Sequence, residues 1–194
     1  MAENIDTLLK ESRVYQPTAQ TKAAAYIQDY ESAYKKSIAD PEGFWSGVAK
    51  ELEWFSPWTK VLEWNYPWAK WFVGATCNIT YNCLDRHVKT WRKNKVAVIW
   101  VGENNEERVI TYGELYRQVN RCANALKKLG IEKGDRVTIY LPKVPEQIVA
   151  MLACARIGAI HSVVYSGFSA PALANRIQDA ESKLVITADV GFDR

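Results

Sequence analysis

The segment Tyr165-Ser166-Gly167-Phe168-Ser169 sets small, hydroxyl-bearing and aromatic residues directly after an apolar run and directly before a helical pattern. Small residues at such a junction let a ligand approach the backbone, and the orphan amides of the following helix favour an anion. The chemistry on offer is phosphate or carboxylate binding; the plainer reading is an ordinary capped turn between strand and helix. The Lys-Ser or Lys-Thr ending of a P-loop is missing, as is the Gly-x-Gly-x-x-Gly spacing of a dinucleotide site. A second candidate is Arg194, at the end of Ala188-Asp189-Val190-Gly191-Phe192-Asp193-Arg194, where a guanidinium could pair with a phosphate. No residue reads as catalytic and no metal ligand set is expected. His87 and His161 have no nucleophile or ligand partner at a telling spacing, and no His-Glu-x-x-His pattern occurs.

The elements that must position these loops become regular after residue 95. Val96 to Val101 reads as a strand, followed by a turn at Asn104-Asn105. Thr111 and Glu114 have the spacing of a capping box, and Tyr112, Leu115, Tyr116, Val119, Ala123, Leu126 and Leu129 keep one helix face apolar. Gly130 suits the left-handed stop of that helix, and Lys133-Gly134-Asp135 turns the chain into a strand from Arg136 to Leu141. Pro145 fits the first turn of the next helix and Gly158 its end. Ile160 to Tyr165 is the next strand, Ser169 caps a third helix with Leu173, Ala174 and Ile177 facing inward, and Lys183 to Thr187 is a last strand. Strand and helix alternating with short connections predict α/β architecture, a mostly parallel sheet built from βαβ units. The turns at 165–169 and 188–194 are then expected on one rim, at the carboxyl ends of the strands, where open α/β sheets bind ligands.

Residues 1–90 differ in character. Six of the eight tryptophans fall between Trp45 and Trp71, which marks a Trp-rich, largely helical N-terminal extension ahead of a domain over 91–194. A helix is predicted over Ala19 to Lys36, and another after Asp40-Pro41-Glu42, with Phe44, Trp45, Val48 and Leu52 as its apolar face. Rings without steady periodicity, broken by Pro57 and Pro67, read as an extension laid over another surface. Too few basic residues lie among them for a base-stacking platform.

The 194 residues carry a net charge of +3 with no block of like charges, so neither nucleic acid nor a membrane surface is an expected partner. The basic run Lys89-Thr90-Trp91-Arg92-Lys93-Asn94-Lys95 reads as a solvated helix end. No signal peptide and no transmembrane span are expected. Cys77, Cys83, Cys122 and Cys154 lack the spacing of a zinc or redox site, so a reduced, cytoplasmic protein is expected, with Cys122 and Cys154 as buried thiols.

In order along the chain, Phe44-Trp45, Trp71-Phe72, Asn82-Cys83-Leu84-Asp85-Arg86-His87, Thr111-Tyr112-Gly113-Glu114-Leu115, Lys133-Gly134-Asp135-Arg136-Val137, Leu152 to Ser169, Ala172 to Ile177 and Ile186-Thr187-Ala188-Asp189 resemble the amino-terminal third of AMP-forming acetyl-CoA synthetases. These belong to the adenylate-forming superfamily. The resemblance implies a complete enzyme that joins acetate to ATP, giving an acetyl-adenylate and pyrophosphate, after which coenzyme A displaces AMP. Mg2+ would offset phosphate charge in the first step. The resemblance further implies that Tyr165, Ser166 and Gly167 lie along the nucleotide end of coenzyme A and that Arg194 contacts its phosphates. The loop departs from the Phe-Gly-Gly of bacterial relatives. The phosphate loop, adenosine motifs and catalytic lysine of the family are not within these residues. Residues 1–194 are therefore expected to be a piece of a longer protein, inactive alone and prone to self-association through an uncovered sheet edge. Propionyl-CoA or another short-chain acyl-CoA synthetase, a non-catalytic partner-binding module and a flavodoxin-like nucleotide binder remain as alternatives.

Overall fold

Short polar side chains decide where the first helices start. The computed structural model describes residues 13–189, so Arg194 lies outside the described residues. Two compact units make up the chain, Met1–Ala49 and Lys50–Arg194. In the first unit, Thr18 accepts from the Thr21 amide at the start of α1 (Ala19–Ala24), and Asp29 accepts from the Ser32 amide at the start of α2 (Tyr30–Ala39). The single helix expected over Ala19 to Lys36 is thus two. The break falls where Asp29 takes an extended backbone and trades helix continuation for the cap bond. Asp40 behaves as expected: its carboxylate accepts from the Gly43 amide at 2.9 Å to open α3 (Pro41–Ala49).

The second unit begins with an element that was not expected. β1 (Lys60–Asn65) and β2 (Trp68–Val73) form an antiparallel hairpin across Tyr66 and Pro67, whose peptide is cis. The extension is therefore not largely helical over its Trp-rich part. Trp54, Trp58 and Phe72 pack ring to ring at 5.1–5.4 Å between centroids, while Trp64 and Trp68 are exposed. A π-helical turn (Tyr81–Asp85) runs into the short helix α4 (Arg86–Val88), and a 3-10 turn (Trp91–Asn94) follows.

β3 (Val96–Val101) does not open the parallel sheet as expected. It pairs antiparallel with β4 (Glu107–Thr111), a strand the residues did not predict. α5 (Tyr112–Lys128) starts with the complete capping box: Glu114 accepts from the Thr111 amide at 2.8 Å, and Thr111 accepts from the Glu114 amide at 3.2 Å. The first of these bonds holds the Glu114 carboxyl below its ordinary pKa. At the other end Gly130, at φ +81°, lets the Ile131 amide reach back to the Leu126 carbonyl.

β5 (Arg136–Tyr140), β6 (Ile160–Val163) and β7 (Leu184–Thr187) form the parallel sheet, in the order β6-β5-β7. The fold is α/β, but of the seven strands among the described residues only these three are parallel to one another; the other four make two antiparallel hairpins. Val137 and Ile139 of the central strand are fully buried, with Leu115, Val119 and Leu126 of α5 and Val149, Ala153 and Cys154 of α6 (Pro145–Ile157). Burial of each large aliphatic side chain contributes about 1.5–3 kcal/mol. It also pushes the Cys154 thiol up to about 11, with the Cys122 sulfur adding to the rise. Cys122 itself is only half-buried and the other two cysteines are exposed. The opposite strand face presents Arg136 and Thr138 toward the segment from α7 (Ala170–Asp179) into β7, and Tyr140 toward the loop after β6. Thr138 bonds Ser182 at 2.7 Å, and Arg136 donates to the Ala180 carbonyl at 2.9 Å.

Candidate functional site

Because β5, β6 and β7 are parallel, Tyr140, Val163 and Thr187 end on one rim. The loop after β6 and the start of the segment after β7, Ala188 and Asp189, follow from that rim, as the sequence required.

Three features hold the loop after β6. The Val164 amide donates to the Ile139 carbonyl at 2.9 Å and extends the ladder one step beyond the strand. The Phe168 amide then donates to the Tyr165 carbonyl at 3.1 Å, closing a tight turn over Ser166 and Gly167. The Tyr140 hydroxyl lies 2.7 Å from the Ser166 carbonyl oxygen and 3.0 Å from that of Phe168. Tyr165 and Phe168 meet edge to face, with centroids 5.9 Å apart, and both rings are exposed.

A Cβ on Gly167 would lie 2.5 Å from Cε1 of the Tyr165 ring, so a larger residue there makes that exposed ring swing aside. Ser169 takes the N-cap position of α7, but its side chain makes no capping bond, contrary to expectation. Pro171 occupies the second position of the helix and has no amide to donate, which removes one of the two usual donors. Leu173 and Ile177 are half-buried as expected, whereas Ala174 is exposed and Ala172 takes the inner position.

Tyr140 and Arg176 were not singled out by sequence reasoning. The Arg176 guanidinium lies 4.3 Å from the Phe168 ring centroid and donates to the Ala172 carbonyl at 2.8 Å. Only three-dimensional pairing brings the end of β5 and the second turn of α7 to the loop. The sequence offered Tyr140 merely as a strand terminus. A shallow open groove on α7 is lined by Asn175, Arg176, Gln178 and Asp179.

The helix before β6 is clamped from outside. Asn78 donates to the Ala155 and Arg156 carbonyls in the last turn of α6, and Thr80 to the Leu152 carbonyl one turn earlier. Asp85 takes the Arg156 guanidinium in two bonds, at 2.6 and 3.2 Å. Gly158, at φ +79°, then turns the chain into β6.

His87 lies with its ring centroid 5.2 Å from that of Tyr112. Burial, followed by the charges of Arg86 and Arg92, lowers its pKa. His161 sits within β6 opposite Val137. No group of three or more His, Cys, Asp or Glu side chains able to hold a metal ion occurs among the described residues, and no helix among them is long and apolar enough to cross a membrane.

The family model of AMP-binding enzymes matches residues 84–194, and that of the acetyl-coenzyme A synthetase N-terminus matches residues 30–83. The acetyl-coenzyme A synthetase of Gemmatimonas aurantiaca is 51% identical over 191 residues, 98% of this chain and 29% of the relative. That of Deinococcus radiodurans is 51% identical over 99% of this chain and 30% of its own length. The 3-hydroxypropionyl-coenzyme A synthetase of Sulfurisphaera tokodaii is 50% identical over 89% of this chain and 27% of its length. Among solved structures, the acetoacetyl-CoA synthetase from Streptomyces lividans superposes with a TM-score of 0.81 at 31% identity, covering 90% of this chain and 30% of that one. The chain thus spans about 30% of the length of the curated relatives it matches. With one family model covering more than half of its residues and the model of a synthetase N-terminus directly before it, the chain belongs to the AMP-binding enzyme family.

Proposed function

We propose that these residues form the amino-terminal part of an AMP-forming acetyl-CoA synthetase. The complete protein converts acetate, ATP and coenzyme A to acetyl-CoA, AMP and pyrophosphate through an acetyl-adenylate. The observation that carries this is the 51% identity to acetyl-coenzyme A synthetases over 98% of the chain. The loop geometry supports a share in coenzyme A binding: Tyr165, Ser166 and Gly167 stand exposed on the rim of a parallel sheet, held by backbone bonds rather than by their own side chains. In this reading they lie along the nucleotide end of coenzyme A, and Arg194 contacts its phosphates. ATP and Mg2+ serve the adenylating step and are assigned no residue here. The extension over 1–90, the domain over 91–194 as the first part of a larger, mostly parallel sheet, and a cytoplasmic location belong to the same proposal.

The test is AMP release by the complete protein that carries this chain. It should depend on acetate, ATP and coenzyme A together. Absence of coenzyme-dependent AMP release with any short acid overturns the reading. The 50% identity to a 3-hydroxypropionyl-coenzyme A synthetase favours a second reading in which another short acid is preferred. Comparing acetate, propionate and 3-hydroxypropionate as substrates separates the two. The isolated 194-residue chain is proposed to be inactive and to self-associate, since β6 and β7 present unpaired outer edges among the described residues. A monodisperse monomer in light scattering would contradict the latter.

A further inference from the structure

The Tyr140 hydroxyl holds a single proton, yet it lies within bonding distance of two loop carbonyls, those of Ser166 and Phe168, at 2.7 and 3.0 Å. A trans peptide is planar, with its N–H directed opposite to its C=O. Drawing the Ser166 carbonyl toward Tyr140 therefore turns the Gly167 amide away from it. Drawing the Phe168 carbonyl inward does the same for the Ser169 amide. Residues 165–169 are exposed throughout, and both donors are turned away from the Tyr140 hydroxyl. The turn bond from the Phe168 amide to the Tyr165 carbonyl leaves these two amides outside the internal pairing. Tyr140 can act this way because it ends the central strand: Ile139 before it is fully buried, and the β5 backbone is paired on both sides.

We propose that Tyr140 is a positioning residue for coenzyme A. It does not touch the ligand. It fixes two peptide planes so that the Gly167 and Ser169 amides are set in advance as donors to polar atoms of the nucleotide end. This rests on the reading of the loop given above. A loop that must order itself on binding loses affinity for the ligand it meets and leaves steps elsewhere unaffected.

The experiment compares the complete wild-type protein with Tyr140→Phe, which keeps the ring and removes only the hydroxyl. The KM for coenzyme A should rise about fivefold, the effect of one lost hydrogen bond of ordinary strength. The KM values for ATP and acetate, kcat at saturating coenzyme A, and acetate-dependent exchange of pyrophosphate into ATP should stay within about twofold of wild type. Retained exchange also shows that the variant folds. An unchanged KM for coenzyme A, or a fall in exchange equal to the loss in the coenzyme step, overturns the inference while the functional reading stands. A wild-type protein without coenzyme-dependent AMP release overturns both.

Discussion

Asp85 and Arg156 are 71 residues apart, yet they make the most enclosed ion pair of the second unit among the described residues, with side-chain exposures of 13% and 20%. The Arg156 guanidinium also lies 5.3 Å from the Tyr116 ring centroid, and its Nε is buried without a partner. Such a pair adds little over well-packed apolar residues, but removing one member strands the other. Asp85→Ala should therefore destabilise the protein by about 3 kcal/mol, measured by chemical denaturation of the complete protein. A loss below about 1 kcal/mol would mean that water or a neighbour takes over the carboxylate's role. The pair was invisible in the sequence because nothing local links the two residues. Gly167 was legible as a small loop residue, though not the Tyr165 ring that lies against it.

Where a rule depends only on near neighbours, the elements follow from it. The Thr111–Glu114 box, the left-handed Gly130 and Gly158, and Pro145 in the first turn of α6 all stand where the residues required. Where the rule needs to know what covers a face, the reading failed. Val96 to Val101 reads as the first strand of a mostly parallel sheet. In the fold Val96, Ile99 and Val101 are exposed, and the strand finds its antiparallel partner in Glu107–Thr111, just past the turn at Asn104-Asn105. Pro67 was read as an interruption of an aromatic strip, but it is the corner of a hairpin that pairs Leu62 with Trp71 and Trp64 with Ala69. Asp29, followed three residues later by Ser32, was the one local sign that Ala19 to Lys36 breaks in two.

At the scale of the molecule, the two βαβ units around β5 give the chain its direction. They bring the loop 165–169 and the segment from Ala188 to one rim, and they leave the acetyl-coenzyme A synthetase relatives some 70% of their length beyond what this chain matches. That rim was legible because connection lengths and strand patterns suffice to make neighbouring strands parallel. The latch from Tyr140 and the Arg176–Phe168 contact were not, since both join segments separate in sequence. Amide hydrogen exchange of the complete protein, with and without coenzyme A, measures the loop's role most directly. The expected result is slowed exchange at the amides of Ser166, Gly167 and Ser169 when coenzyme A binds, and no such change with acetate alone. Bound coenzyme A that leaves these amides exchanging at their free rate would contradict the account.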